Sequence, residues 1–255
     1  MKKAILCVIV VVVLSVSAAF GGVTEDLMRA ASDKSTTPQN IVSLIKAGAD
    51  VNAKDDNGMT ALIWAAADNS NVEVIKTLIN AGANINAKDD NSMTALIWAA
   101  RNNSNAEVIK ALINAGADIN AKDNNGLTAN SMTALMWAAR NNNNAEIIKA
   151  LINAGADVNA NDKNNWTALT FAVVKNSNIE VIKVLLNAGA DANAKNNNGT
   201  TALMWVAILN NNAEEKIRVL LEAGADLFAR DNNGYTILDY AQTDSLKELI
   251  LKLAQ

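Results

Sequence analysis

The stretch Thr94–Ala117 reads TALIWAARNNSNAEVIKALINAGA and contains two short apolar segments on either side of an Asn-rich turn. Its opening triplet, or a close variant of it, returns along the chain at Thr60, Thr94, Thr133, Thr167, Thr201 and Thr236. The spacings between these threonines are 34, 39, 34, 34 and 35 residues. A period of this length indicates an array of repeated helical units, and it decides the fold class.

A second helix is predicted after each Asn-rich turn. In the segment Val72–Ile79, four apolar residues share one helical face. Asn71 is placed to cap this helix, and Glu73 lies in its first turn, where a negative charge is favourable. Pro38, after Thr37, suits the first position of another helix. Glycines that adopt the left-handed cap conformation are expected to end the second helices, at Gly82, Gly116, Gly155, Gly189 and Gly224.

The segment between a second helix and the next Thr-Ala-Leu is predicted to be extended and then to turn. In one copy, Asp118–Gly126 reads DINAKDNNG, and Asn or Asp before Gly suits a tight turn with positive backbone angles. Every unit is therefore expected to contain two short antiparallel helices and one projecting turn, the finger.

At these residues the chain resembles the ankyrin repeat, whose pattern is a finger ending in Asp-x-x-Gly, then Thr-Pro-Leu-His-x-Ala-Ala and a helix ending in Ala-Gly-Ala. The residues that fit are Asp55, Gly58, Thr60, Leu62, Ala65, Ala66, Ala81, Gly82 and Ala83. The resemblance covers residues 22–255. It implies an all-α fold, an ankyrin-repeat solenoid of stacked helix-turn-helix units with β-turn fingers, and a role in protein binding.

The chain also departs from the family pattern. Alanine replaces the proline throughout, as at Ala61 and Ala95. The histidine position holds Ile63, Ile97, Met136, Thr170 or Met204. Since the family's histidine is hydrogen-bonded to a neighbouring loop, that link is absent, and we expect the Asn-rich turns to supply polar contacts instead.

We expect a signal peptide over residues 1–19, an N-terminal capping repeat over 20–56 and a C-terminal capping repeat over 233–255. The intervening ankyrin repeats are expected at 57–90, 91–129, 130–163, 164–197 and 198–232. The repeat at 91–129 has a long finger, because Asn125–Ala129 precedes a similar segment and looks like a tandem duplication. The long finger at 125–132 either reaches a partner or records slippage at an exposed loop tip.

Export is predicted from the N-terminus. Lys2 and Lys3 precede the uncharged run Ala4–Val16, and the small residues Ser17–Ala19 follow it. Cleavage after residue 19 would release a periplasmic or secreted protein with no membrane association. The alternative is an uncleaved anchor, since the run through residue 20 almost reaches the roughly 17 residues needed to span a bilayer.

Composition excludes several kinds of function. The chain has no histidine, which removes the commonest general base and metal ligand. Its one cysteine, Cys7, lies in the predicted signal peptide, so the mature chain would depend on packing without disulfides. Without Lys2 and Lys3 there are 20 basic and 26 acidic residues, a net charge near −6 that argues against nucleic-acid binding.

The residue before each repeat threonine is a candidate contact position, at Met59, Met93, Met132, Trp166, Thr200 and Tyr235. One interpretation is an exposed, adaptable apolar strip along the groove in which ankyrin-like proteins bind their partners. The other is that these side chains fold back onto the neighbouring finger. The sequence alone leaves both interpretations open.

Two further positions in the first helices are candidates for binding. Aromatic residues recur at Trp64, Trp98, Trp137, Phe171 and Trp205, either as a binding ladder or, as we favour, as packing between repeats. Arg101 and Arg140 lie where the copies vary, and could pair with acidic groups of a partner or be solvated charges at helix ends.

We therefore predict a monomeric, non-catalytic module that binds a protein through its concave groove and needs no cofactor or metal. The predicted contact residues are Met59, Met93, Arg101, Met132, Arg140, Trp166 and Tyr235. The alternatives are a carboxylate-based enzyme or ligand-binding protein on a solenoid scaffold, or a structural envelope spacer. Finger acids such as Asp55 and Asp89 recur with the repeat, which favours a structural role over paired acid and base catalysis.

Overall fold

A computed structural model describes residues 22–124, 131–209 and 212–253, which form helices, turns and extended fingers. Within these ranges there is no β-strand. Sheet-like pairing is limited to two isolated bridges, Lys122 with Thr133 and Asn161 with Thr167. The predicted all-α fold of helix-turn-helix repeats is confirmed. The chain divides into two compact units, an N-terminal unit up to Asp118 and a C-terminal unit from Ile119.

The described residues of each unit form a series of helix pairs. The pairs of the N-terminal unit are α1 Val23–Ser32 with α2 Pro38–Lys46, α3 Ala61–Asp68 with α4 Val72–Asn80, and α5 Ala95–Asn102 with α6 Ala106–Asn114. Those of the C-terminal unit are α7 Ala134–Asn141 with α8 Ala145–Asn153, α9 Ala168–Lys175 with α10 Ile179–Asn187, α11 Ala202–Leu209 with α12 Ala213–Glu222, and α13 Ile237–Tyr240 with α14 Asp244–Leu253.

From α3 onward, the first helix of each pair begins at the repeat threonine. The Thr60 hydroxyl accepts a hydrogen bond from the backbone N–H of Ile63, which caps α3, and the equivalent threonines cap α5, α7 and α9. In α3, Leu62, Ala65 and Ala66 are fully buried. Small alanines let neighbouring first helices pack closely, α1 on α3 and α3 on α5 in the N-terminal unit, α7 on α9 and α9 on α11 in the C-terminal unit.

The second helices begin and end as predicted. Asn71 accepts from the backbone N–H of Glu73 at the start of α4, and Thr37 caps α2 with Pro38 at its first position. The glycine after each of these helices has a positive φ, for example 88° at Gly82, which other residues adopt only with strain.

Buried asparagines join neighbouring repeats, as the sequence predicts. In the N-terminal unit, the Asn103 amide donates to the carbonyl oxygens of Ala66 at 3.3 Å and Asn69 at 3.0 Å. In the C-terminal unit, the Asn176 amide donates to Ala139 O and Asn142 O, both at 2.9 Å. Each bond satisfies a carbonyl at the end of the preceding first helix, where the helix itself provides no donor.

A second series of asparagines joins the bases of successive fingers. Asn52 donates to Gly82 O at 3.0 Å and accepts from the backbone N–H of Asn84 at 2.7 Å. The same two bonds form at Asn86 in the N-terminal unit and at Asn120, Asn159 and Asn193 in the C-terminal unit. Phe228 occupies the next equivalent position, and 75% of its surface is exposed.

One joint in the C-terminal unit uses a buried lysine. Lys216, in α12, stands where α4, α6, α8 and α10 carry a buried Val or Ile, such as Val181. Its ammonium donates to Val173 O at 2.8 Å, the carbonyl that corresponds to Ala139 O in the preceding repeat. Desolvation by burial lowers the pKa of Lys216 below its ordinary value.

This lysine predicts a pH dependence of stability. Because the folded-state pKa lies below the unfolded one, the unfolded state binds more protons between the two values, and stability rises with pH through that interval up to about pH 10.4. Urea unfolding between neutral pH and about pH 10 should show this rise, and Lys216→Met should reduce it. An equal rise in Lys216→Met would contradict the assignment to this group.

Candidate protein-interaction surface

An aspartate closes the finger in most of the described repeats. The Asp55 carboxylate oxygen Oδ1 accepts from the backbone N–H groups of Asn57 and Met59, both at 2.9 Å. Its second oxygen, Oδ2, accepts from the indole Nε1–H of Trp64 at 2.9 Å. One carboxylate therefore folds the finger and attaches it to the first helix.

The same attachment recurs in both units. Asp89 accepts from Trp98 at 2.9 Å, and in the C-terminal unit the buried Asp123 accepts from Trp137 at 2.8 Å. In the last repeat, the Tyr240 hydroxyl replaces the indole and donates to Asp231 at 2.6 Å. This bond lowers the pKa of the Asp231 carboxyl and raises the pKa of Tyr240. Asp55 and Asp89 were considered as catalytic candidates. Each of them instead attaches a finger to a first helix.

This attachment was not predicted, although its signal is present in the sequence as an Asp nine residues before the aromatic position. Where one partner changes, the bond is absent. Asp162 has Phe171 at the aromatic position, which has no donor. Asn196 replaces the aspartate in the following repeat, and the buried Trp205 Nε1–H has no hydrogen-bond partner among the described residues.

Asn196→Asp is expected to supply the missing acceptor. Asn196 Oδ1 already accepts from the backbone N–H groups of Asn198 and Thr200, as Asp55 Oδ1 does in its finger. The Asn196 amide nitrogen therefore takes the position that corresponds to Oδ2 of Asp55. Pairing a buried donor with a carboxylate should raise the free energy of unfolding by about 1–2 kcal/mol. Thermal and urea unfolding measure it.

The matched control is Asn198→Asp, which adds the same charge to an exposed residue of the same finger. It should change stability by less than about 0.5 kcal/mol. Equal stabilisation by both substitutions would show that charge alone, without the indole bond, is responsible.

The methionines of the predicted contact strip are buried. Met59 is 5% exposed, Met93 2% and Met132 0%, so the exposed-strip interpretation is wrong for these three residues. The closure bond from the backbone N–H to the finger aspartate, 2.7 Å for Met132 with Asp123, also forms at Trp166 and Tyr235. Burial at this position therefore depends on the side chain, and the smaller, flexible methionines fit into the packed interior. Thr200 is likewise buried.

Trp166 and Tyr235, at the same position in later fingers of the C-terminal unit, do reach the surface. Tyr235 is 52% exposed and contacts Tyr240 edge-on, with ring centroids 6.1 Å apart. Trp166 is half-buried and lies between Phe171 at 5.1 Å and Trp205 at 5.2 Å. Trp166 is therefore held by two aromatic neighbours and remains partly exposed.

Arg101 and Arg140 lie over aromatic rings of their own helices. The guanidinium carbon of Arg101 is 5.1 Å from the ring centroid of Trp98, and that of Arg140 is 5.3 Å from the centroid of Trp137. This distance is that of a cation–π contact. Both arginines are half-buried and held in place, so neither is a freely solvated charge at a helix end.

The recurring aromatic residues differ in how deeply they are buried. Trp137 and Phe171 are 6% exposed and act as packing, whereas Trp64, Trp98 and Trp205 remain half-buried. Most of the predicted long finger, residues 125–130, lies outside the described residues. At its described end, Ser131 has a φ of 55° and the side chain of Met132 is buried.

Two further tests concern metals and membranes. Across residues 22–124, 131–209 and 212–253, no group of three or more acidic or cysteine side chains is arranged to hold a metal ion. In the same ranges, none of the helices combines the length and the apolar character that a bilayer crossing requires.

The comparisons with known proteins agree with this geometry. The family model described as "Ankyrin repeats (3 copies)" matches residues 27–123, 122–196 and 173–255. The chain therefore belongs to the ankyrin-repeat family, whose members are generally non-catalytic scaffolds that bind proteins. No curated protein sequence matches the chain significantly.

Two solved structures share the fold. The ankyrin repeat domain of Bcl-3, described as a unique member of the IkappaB protein family, is 24% identical, with a TM-score of 0.71 over 88% of this chain and 97% of that one. The human ASB11 ankyrin repeat domain is 23% identical, with a TM-score of 0.77 over 89% of this chain and 96% of that one. At these identities the likeness concerns the fold alone.

Proposed function

We propose that this chain binds a partner protein through the surface that its fingers and first helices form in each unit. The observation that carries the proposal is the presence of aromatic and arginine side chains, fixed in place yet accessible, at the variable positions of an otherwise constant frame. In the N-terminal unit this surface includes Arg101 over Trp98, and in the C-terminal unit it includes Arg140, Trp166 and Tyr235.

The chemistry of these residues supports binding. Trp, Tyr and Arg are the residue types most enriched among those that dominate interface energies. Cation–π contacts hold Arg101 and Arg140 in place beforehand, and ring contacts hold Trp166 and Tyr235. Little side-chain entropy is therefore lost when a partner binds. Met59, Met93 and Met132 support the finger from inside and are not expected to contact the partner directly.

Capture of a partner from native extract by cross-linking tests the proposal. Arg101→Glu combined with Tyr235→Ser should reduce capture at least about tenfold, because two interface anchors are lost. The melting temperature should change little, since a cation–π contact that is open to solvent on one side contributes only about 1 kcal/mol.

Lys110→Glu is the matched control, because it makes the same charge change on the exposed face of a second helix, α6. It should leave capture unchanged. Capture that survives the double substitution, or that is lost equally in Lys110→Glu, would contradict binding through the fingers and first helices.

The proposal includes export and a monomeric mature chain. Lys2, Lys3, the apolar run Ala4–Val16 and the small residues Ser17–Ala19 support removal of a signal peptide, and the acidic balance supports a protein partner over nucleic acid. N-terminal mass analysis of the protein recovered outside the cytoplasm should begin at residue 20. Recovery of the full-length chain with the membranes would favour the uncleaved anchor.

A further inference from the structure

Trp64, in the N-terminal unit, lacks the arginine that accompanies the equivalent Trp98 and Trp137. Arg101 follows Trp98 by three residues and lies over its ring, and Arg140 follows Trp137 in the same way. Three residues after Trp64 the chain has Ala67. Trp64 therefore has the same helix position and the same indole bond to a finger aspartate, but no arginine of its own repeat at that position.

A cavity of about 320 Å³ opens beside Trp64. Its lining residues are Glu25, Met28, Arg29, Ser32, Asp55 and Trp64, all in the N-terminal unit. Met28 and Trp64 give it an apolar surface, and its size is at the lower limit of small-molecule pockets. It suits one inserted side chain better than a folded element.

The charges around this cavity favour a cation. Glu25 and Asp55 provide two carboxylates at its edge. The one basic residue in the lining, Arg29, pairs with Asp26, whose Oδ1 is 3.4 Å from the Arg29 guanidinium. The second oxygen of Asp26 is buried and has no hydrogen-bond partner among the described residues, which leaves additional negative potential in this region.

We propose that this cavity receives an arginine side chain of the partner protein, whose guanidinium stacks on Trp64 and pairs with Glu25. The inference rests on the proposed function and specifies the partner's chemistry at one position. Arginine fits better than lysine because its planar guanidinium stacks on an aromatic face while its edge binds a carboxylate. The chain itself makes the corresponding contact within one helix at Trp98 and Trp137.

Tryptophan indole signals in ¹H–¹⁵N NMR spectra test the inference directly. The probe is N-acetyl-arginine amide, with N-acetyl-norleucine amide as an uncharged control of similar length. The Trp64 indole signal, assigned by its loss in Trp64→Phe, should shift saturably with the arginine probe and much less with the norleucine probe. Trp98 and Trp137 should shift less, because their own arginines already lie over them.

Two substitutions separate this site from unspecific effects. Ala67→Arg should place an arginine over Trp64, as Arg101 lies over Trp98 and Arg140 over Trp137, and abolish the response to the probe. Glu25→Gln, at an exposed residue, should weaken the response at least threefold without unfolding the chain. The inference is overturned if Trp64 does not respond, responds equally to norleucine, or responds unchanged in Glu25→Gln.

Partner capture distinguishes this inference from the proposed function. If Ala67→Arg folds and loses the probe response but captures the partner as well as the wild type does, the partner provides no arginine here and the inference fails alone. If the wild type responds to the probe but captures no protein, the proposed function fails.

Discussion

Trp137→Ala is expected to lower the free energy of unfolding by about 3–5 kcal/mol, the usual loss when a buried large aromatic is truncated. Trp137 is 6% exposed, donates to Asp123 at 2.8 Å and lies under Arg140. The substitution removes the ring, the bond that attaches the finger and the surface beneath the arginine. Urea unfolding followed by far-UV circular dichroism measures the loss.

Trp137→Phe separates these contributions. It retains most of the buried apolar surface and removes the indole donor, which leaves Asp123 buried with one unpaired carboxylate oxygen. We expect a loss of about 1–3 kcal/mol, clearly smaller than for alanine. If phenylalanine cost nothing, the bond between Trp137 and Asp123 would not be what attaches this finger.

Asn176→Ala is expected to cost about 2–4 kcal/mol. Three hydrogen bonds would be lost, two to the carbonyls of Ala139 and Asn142 and one from the backbone N–H of Asn178, each at 2.9 Å. Because these groups are buried, the carbonyls would be left without donors and would retain their full desolvation cost. Thermal and urea unfolding should both report the change.

The control for this joint is Ser177→Ala, at the exposed neighbouring position in the same turn. Its effect should stay within about 0.5 kcal/mol. Similar losses at Ser177 and Asn176 would mean that the conformation of the turn, and not the buried amide, determines how the two repeats are joined.

The parts of the fold that depend on local sequence could be predicted. Helix starts at Thr60 and Asn71 and the helix end at Gly82 follow from capping chemistry within a few residues. The polar contacts of the Asn-rich turns could also be predicted. The chain lacks the family's histidine, so another donor had to replace the hydrogen bond between that histidine and a neighbouring loop.

The candidate site was harder to predict because exposure depends on neighbouring repeats. Met93 and Tyr235 occupy the same repeat position, yet one is 2% and the other 52% exposed. The Asp–Trp bond was missed because each residue has an ordinary local explanation, a turn acid and a core aromatic. Only the constant spacing of Asp55 with Trp64 and Asp89 with Trp98 could have linked them.

Binding through the fingers and first helices is tested most directly by photocross-linking at single positions. A benzophenone amino acid would replace Tyr235 on a finger, Arg101 on a first helix, or, as controls, the exposed Lys110 and Arg218 on second helices. In native extract, we predict that positions 235 and 101 form an adduct with the same partner protein and that positions 110 and 218 do not. Adducts confined to positions 110 and 218 would contradict the proposed binding surface.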